Sequence, residues 1–319
     1  LAAAAAAASQ LSDAEREEAA RLDLAWAQLH LDLLRRASAL RLAHKAGGAA
    51  PAAEGEAFSQ PEGEAFSSRH DLCFASLRLE PPSRRCAEPA SVSNFEEARE
   101  VFKLAVAYVQ RAKAYLELDG FVTDHFAALQ VEQTLYQLLA AWEVDPTRRL
   151  AMHRRRLQLL QAVDLINETA YLQLARQARF DLGGIATEIL ELKAAMHKGD
   201  PPARQEQKLA GAVASVVELY DKFTAGFADK AGKPPVSVEE GSEHAYLMAH
   251  FHKARALGKL HGLESLRGSL ASYQLLVQYF DANPKCAGMV EEAEICREMA
   301  ELLPRRIDME ASKLAKANA

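Results

Sequence analysis

A run of basic side chains is the part of the sequence best suited to bind an anion. It comprises Arg148, Arg149, His153, Arg154, Arg155 and Arg156. His153 is in helical register with Leu150 and Leu157, which predicts that it points partly inward while the arginines surround the rest of the helix. Such arginines can bind phosphate or an acidic protein surface. The favoured interpretation is a solvated helix face, balanced by acidic neighbours such as Glu143 and Asp145.

A second concentration of polar and aromatic side chains lies in a short break between two helical patterns. Gly120 is typical of a left-handed helix stop, Thr123 of a helix cap, and Asp124 favours the positive end of a helix. These structural roles do not account for an exposed Phe121 or for the position of His125. A partner-binding turn would account for both. The candidate partner-binding residues are therefore Asp119, Phe121, Thr123, Asp124 and His125.

The sequence has no pattern typical of a catalytic, metal or nucleotide site. His244, His250 and His252 are close in sequence, but their spacings do not place them on one helix face. Gly183 and Gly184 form an isolated pair rather than a phosphate-binding loop. The cysteines are far apart and predict free thiols in a reducing compartment: Cys73, Cys86, Cys286 and Cys296. We expect no enzyme activity, no metal and no cofactor.

The composition predicts an all-α protein. Aromatic residues make up only 7% of the 319 residues, and strong helix formers such as Ala, Leu and Glu dominate over β-branched residues. The net charge of −6 and a pI of about 6.0 argue against general nucleic-acid binding. No apolar run approaches the roughly 20 residues that span a bilayer, so no membrane insertion is expected. The chain begins at Leu1, which is consistent with a fragment or a processed form.

The sequence divides into three parts. Residues 1–45 comprise an alanine tract and a long amphipathic helix from residue 13, with an apolar stripe formed by Leu22, Trp26, Leu29 and Leu33. Residues 46–92 are rich in Gly, Pro, Ser and Glu, and the pentapeptide at 55–59 recurs at 63–67. This segment is predicted to be a flexible insertion. Residues 93–319 form a series of helices.

Capping signals mark several helix starts in that series. Ser93 and Glu96 form a capping box that opens a helix to residue 118. Asp145 precedes a Pro, as Asp200 does, and Asn167 is a third candidate cap. Pro304 is predicted to lie near a break between the last two helices. The inward stripe of the 93–118 helix is predicted to be Ala98, Val101, Ala105, Tyr108, Ala112 and Tyr115.

Residues 251–284 resemble one tetratricopeptide-like unit. Apolar residues recur by threes and fours from Leu263 to Phe280, and Ala254, Gly258 and Ala271 are predicted to allow close helix approach. The series is therefore predicted to be irregular helical hairpins stacked into an α-solenoid with a concave binding face. A compact helical bundle without a groove is the alternative.

Several segments resemble the C-terminal half of the kinesin-binding protein (KIF-binding protein) family. They are residues 94–100 (Asn-Phe-Glu-Glu-Ala-Arg-Glu), 119–125 (Asp-Gly-Phe-Val-Thr-Asp-His), 152–156 (Met-His-Arg-Arg-Arg), 180–181, 254–259 and 302–304. The resemblance implies a tetratricopeptide-like, right-handed solenoid. It also implies that kinesin motor domains are partners, bound on the concave side so that the motor is kept off the microtubule, and a cytoplasmic, cytoskeleton-associated location. Phe121 stands where the family is expected to have Tyr.

These observations predict a non-enzymatic protein that binds kinesin motor domains and regulates microtubule-based transport. The alternative is a generic tetratricopeptide-like adaptor for another protein. Such an adaptor commonly needs Lys, Asn and Arg at repeat positions to bind a carboxylate pair, and the sequence lacks this clamp. A helical enzyme is a third possibility that converging His, Asp or Glu residues in a pocket would favour. The sequence leaves the oligomeric state open.

Overall fold

A computed structural model describes residues 12–45, 92–229, 232–283 and 289–317. Within these ranges the chain forms α-helices and one short 3₁₀-helix (Gln161–Leu165), with no β-strand. The all-α prediction is confirmed. The described residues leave out the alanine tract, Cys73, Cys86 and Cys286, and the predicted insertion over residues 46–92 except for Val92. The helices are α1 (Asp13–Lys45), α2 (Phe95–Tyr115), α3 (Val122–Trp142), α4 (Pro146–Leu160), α5 (Leu172–Met196), α6 (Pro202–Ala225), α7 (Glu240–Leu257), α8 (Leu263–Ala282) and α9 (Val290–Ala317).

The chain divides into two compact units, Leu1–Glu117 and Leu118–Ala319. In the first unit α1 and α2 form an antiparallel pair. Arg111 makes a bidentate ion pair with Asp23, with N–O distances of 2.9 and 2.5 Å. The Trp26 and Tyr108 rings stack with their centroids 6.2 Å apart. The long first helix is confirmed, and its aromatic and charged contacts align it with α2.

The predicted apolar stripe of α1 is wrong. Leu22 and Leu29 are exposed, at 60% and 42%, while Trp26 and Leu33 are half-buried. The buried residues of α1 come from the adjacent face: Ala20, Ala27, His30, Leu31, Leu34 and Ala37. Alanines on both helices allow close approach, so the spacing of the large apolar residues was a misleading guide to the buried face.

The predicted stripe of α2 is confirmed from Ala98 to Ala112, and Val109 is buried as well. Tyr115 is half-buried and donates a hydrogen bond from its hydroxyl to the Asp13 carbonyl, 2.9 Å away. The capping box is shifted by one residue from the prediction. Asn94 is the N-cap and accepts from the Glu97 amide, while the Glu97 carboxylate accepts from the Ser93 amide.

Of the three residues predicted to cap helices of the second unit, only one forms the predicted cap. Asp145 accepts from the Thr147 amide at the start of α4, as predicted. Asn167 instead closes a turn that precedes α5, and Asp200 pairs with His197 rather than capping α6. Pro304 lies inside α9 and does not mark a break.

Each helix of the second unit packs against its neighbours in the chain, and α5 also contacts α7. α3 and α5 lie side by side and parallel. Gln130 donates a hydrogen bond to Asp181, and Gln137 donates one to Glu188, and in both pairs the acceptor is 51 residues further along the chain. α5 runs without interruption through Gly183. A Cβ atom at Gly183 would overlap the ring of Tyr220, so this glycine allows α6 to approach α5.

The contact between α7 and α8 differs in one residue from the prediction. Ala254 is buried and Gly258 lies close to α8, as expected, but Ala271 is exposed. The close approach is made by Ser269, whose hydroxyl donates to the Ala254 carbonyl at 2.8 Å. The apolar stripe from Leu263 to Phe280 is buried or half-buried throughout, as predicted.

A buried polar network joins α3, α4 and α5. His153 is buried, as its register predicted, but Arg156 is also buried, at 3% exposure, rather than solvated. The Arg156 guanidinium forms an ion pair with Glu188 and donates from Nε to Gln133 Oε1 at 3.1 Å. His153 Nδ1 lies 3.0 Å from Glu188 Oε2. One carboxylate on α5 thus holds two side chains of α4.

The environment of Glu188 favours its charged form. Burial by itself would raise the pKa of this carboxyl group, but the hydrogen bond with His153 and the charge of Arg156 outweigh burial and lower the pKa. In contrast, burial raises the pKa of Asp181 despite hydrogen bonds from Gln130 and Gln177. The ion pair of Arg156 with Glu188 is therefore the charged centre of the network.

Replacing Arg156 by Met should lower the free energy of unfolding by about 2–4 kcal/mol, because Glu188 and Gln133 lose their partner. The loss should fall short of that for a wholly buried pair, since the Glu188 carboxylate is partly solvated. Urea-induced unfolding followed by circular dichroism measures it. Arg154→Met on the exposed face of α4 is the matched control and should change stability by less than about 0.5 kcal/mol. Equal effects of the two variants would contradict a stabilising role for the network.

A second buried titratable group, His250 on α7, packs edge-on against Tyr246 with 4.8 Å between the ring centroids. The pKa of His250 is lowered to about 4, mainly by burial and then by the charge of Lys253, while Asp221 acts in the opposite direction. The unfolded chain therefore binds the proton before the folded chain does as the pH falls. The stability that the neutral His250 ring contributes is fully present above the pKa of the unfolded chain. It is lost as the pH falls toward the pKa of the folded chain.

His250→Phe should therefore remove part of the acid sensitivity of the fold. Between pH 7 and pH 5 the wild-type chain should lose about 2 kcal/mol more unfolding free energy than this variant. Denaturant titrations at both pH values measure the difference. His244→Phe, at an exposed position on the same helix, should keep the wild-type pH dependence. If His250→Phe and His244→Phe showed the same dependence of unfolding free energy on pH, His250 would not be the source of the acid sensitivity.

Candidate functional site

The turn before α3 brings the predicted partner-binding residues together. Asp119 and Gly120 form the turn itself, Phe121 immediately precedes the helix, and Thr123 lies in the first helical turn together with Asp124 and His125. The turn is fixed from behind by Leu118 and Val122, which pack against a core cluster shared by α3, α4 and α5. This cluster includes Phe126, Leu129, Leu160, Ala178 and Leu182. Packed apolar side chains therefore support the polar residues of the turn.

The structural roles predicted for this turn are largely wrong. α3 has no side-chain cap, and Thr123 lies inside the helix rather than at its N-cap. Gly120 is not left-handed, since Gly232 is the one glycine with positive φ in the described ranges. Asp124 does occupy the first turn of the helix, as predicted, where a negative charge is favourable. Capping therefore does not explain Thr123.

The exposure of these side chains divides them into two sets. Asp119 and Thr123 are exposed, whereas Phe121, Asp124 and His125 are half-buried. The prediction of an exposed Phe121 is therefore wrong. Its side chain is partly covered and partly accessible. The turn presents a carboxylate and a hydroxyl beside a partly covered aromatic ring.

The remaining arginines of the basic run have different environments. Arg148 is exposed and lies 3.6–3.7 Å from carboxylate oxygens of Asp145 and Glu143, as the solvated-face interpretation predicted. Arg155 is 3.8 Å from the buried Glu132. Arg149 is half-buried, and its Nε atom is buried without a hydrogen-bond partner in the described chain. Helical periodicity of the sequence could not predict which of these arginines have an acidic neighbour in the folded chain.

No group of three or more His, Cys, Asp or Glu residues that could hold a metal ion occurs in the described ranges. Cys296, the one described cysteine, is a free thiol in the core. Among the helices described, none is long and apolar enough to cross a membrane.

Comparison with known proteins gives consistent matches. The family described as "KIF-1 binding protein C terminal" matches residues 2–309. A KIF-binding protein of Danio rerio is 36% identical over 234 residues, covering 70% of this chain and 37% of the relative. The Gallus gallus protein of the same name is 33% identical over 258 residues, covering 76% and 42%, and the Homo sapiens one is 32% identical over 232 residues, covering 70% and 37%.

No solved structure matches the chain significantly. The matched part spans between 37% and 42% of the length of these three curated relatives. The family match nevertheless covers nearly the whole chain, and identity to the relatives exceeds 30% over more than two thirds of it. The chain therefore belongs to the KIF-1 binding protein C-terminal family.

Proposed function

We propose that this chain binds kinesin motor domains without catalysis and regulates microtubule-based transport by covering the face with which the motor meets its track. The observation that carries the proposal is the turn at residues 119–125. It presents Asp119 and Thr123 to solvent on a base packed by Leu118 and Val122. The names of the relatives support a kinesin as the partner.

The chemistry of the turn suits a basic partner. Asp119 and Asp124 supply two carboxylates within one turn of chain, and Thr123 adds a hydroxyl group that no capping bond occupies. Phe121 and His125 add ring surface at the same place. A rigidly positioned aromatic ring surrounded by polar groups is typical of residues that contribute strongly to protein binding.

The overall charge supports the same partner class. The chain has a net charge of −6, and a motor's microtubule-binding face is basic because it binds acidic tubulin. Opposite net charges accelerate encounter, and occupation of that face then excludes the track sterically. This mechanism implies a cytoplasmic, cytoskeleton-associated location.

We propose further that α3 to α9 form tetratricopeptide-like hairpins stacked into a right-handed solenoid. The supporting observations are the packing of each helix on its chain neighbours and the parallel alignment of α3 with α5. The contact between α5 and α7 extends this alternation of helices. A groove formed by alternate helices would provide the surface for a partner.

A generic adaptor remains the second candidate. It is favoured by the same stacked helices, which bind many unrelated partners. An adaptor of this kind would bind a C-terminal carboxylate peptide with an affinity independent of the turn. Kinesin binding predicts the opposite, which makes the turn the discriminating feature.

Combining Thr123→Ala with Asp124→Ala should weaken binding to kinesin motor domains at least tenfold, because one charge and one hydroxyl leave the contact. Calorimetry with purified motor domains measures the affinity. In microtubule co-sedimentation, excess wild-type chain should leave the motor in the supernatant, and the double variant should restore pelleting.

The matched control combines Glu264→Ala with Ser265→Ala in the first turn of α8, which removes the same groups from another helix start. It should bind like the wild type, and both variants should keep their helical circular dichroism. Motors that pellet normally in the presence of excess wild-type chain would overturn the proposed function. Unfolding of the turn variant alone would show that these residues are structural.

A further inference from the structure

A groove lies between α3 and α5, with α4 beneath it. Its volume is about 500 Å³. Small and apolar side chains form much of its walls, Ala140 and Ala141 on α3 and Leu192 and Ala195 on α5. Arg149 and His153 of α4 line it as well. The small walls leave room for a side chain from outside.

The carboxylates that line the groove already have cationic partners. Glu188 is paired with Arg156 and His153 and also accepts from Gln137. Glu191 is paired with Lys259 of the loop after α7, with 3.0 Å between Nζ and Oε2. Neither carboxylate therefore has an uncompensated charge with which to bind a cation.

Arg149 is the exception in this charge balance. Its guanidinium makes no hydrogen bond or ion pair with the described residues, and its Nε atom is buried without an acceptor. A buried charged donor without a partner is costly, whereas a carboxylate can accept two parallel hydrogen bonds from a guanidinium. The groove therefore lacks a hydrogen-bond acceptor for the Nε–H group of Arg149.

The surroundings add positive potential. Lys193, next to Leu192 on α5, has its pKa lowered by burial first and then by the charge of Arg154 on α4. Both are cations, and neither forms an ion pair within the described chain. Neither side chain lines the groove, so the direct contact of an anion there would be with Arg149.

We propose that this groove binds an Asp or Glu side chain of the partner protein, with the carboxylate on the Arg149 guanidinium. The proposal rests on the proposed function, which supplies the kinesin motor domain as that partner. A carboxylate side chain is favoured over free phosphate because the alanine and leucine walls match the apolar part of a side chain.

The groove is a separate contact from the turn at residues 119–125. Residues 137–141 lie 16–20 positions further along α3 than Phe121, which corresponds to about 24–30 Å of helix. A partner that touches both must carry a basic or polar patch at one point and an acidic side chain at the other.

Arg149→Met tests the proposal, with Arg148→Met as the matched control. The two variants remove the same charge from adjacent positions, but Arg148 is exposed and lies near Glu143 and Asp145. Calorimetry with a panel of purified kinesin motor domains should show at least tenfold weaker binding for Arg149→Met and less than a twofold change for Arg148→Met. Arg149→Glu should weaken binding still more, and neither Met variant should unfold at a lower urea concentration than the wild type.

The outcomes separate this inference from the proposed function. If the wild-type chain binds motor domains and the two Met variants bind equally well, the carboxylate site is wrong and the proposed function stands. If the wild-type chain binds no motor domain, both are wrong. Inorganic phosphate that shifts the Arg149 Nε–H resonance, without a motor-affinity loss in Arg149→Met, would show a free-anion site and overturn partner docking.

Discussion

The second unit depends on the neutralisation of one buried arginine. Arg156 is nearly inaccessible, and a buried charge is tolerated only when it is paired and hydrogen-bonded. Glu188 supplies the countercharge from α5, and Gln133 supplies an acceptor from α3. The relative positions of three helices are thereby fixed at one point. The turn before α3 is fixed at one end of this assembly by the core cluster, and the groove of Arg149 opens beside the network.

Local signals in the sequence were sufficient for much of the fold. Helical periodicity gave the extent of α1, the buried stripe of α8 and the inward position of His153, and Asp145 with its following Pro located the start of α4. The errors have a common cause, since each depended on which neighbour a residue meets. Leu22 was assigned to the core by its helical spacing, and Ala271 by its place in a repeat, yet α1 buries an adjacent face and Ser269 makes the close contact of α8.

The candidate site was predictable to a different degree. Sequence reasoning placed Asp119, Phe121 and Thr123 in one turn because they are adjacent in the chain, and that needed no tertiary information. It assigned Thr123 to a cap that does not form, since a cap depends on backbone geometry at a single residue. The pairing of Arg156 with Glu188 joins residues 32 positions apart. No single-sequence signal identifies such a pair, and the same holds for the unpaired neighbour Arg149.

The two proposed contacts, the turn before α3 and the groove of Arg149, impose opposite charge requirements on a partner. A net-acidic chain would attract any basic protein surface, so net charge alone gives fast encounter with little selectivity. A carboxylate-binding groove about 24–30 Å from an acidic turn changes this, because a uniformly basic surface would place a cation against Arg149. That repulsion disfavours generic basic proteins, while a partner with one suitably spaced acidic side chain gains a bidentate contact. Selectivity would then arise from the spacing of two opposite charges, the acidic turn before α3 and Arg149 on α4.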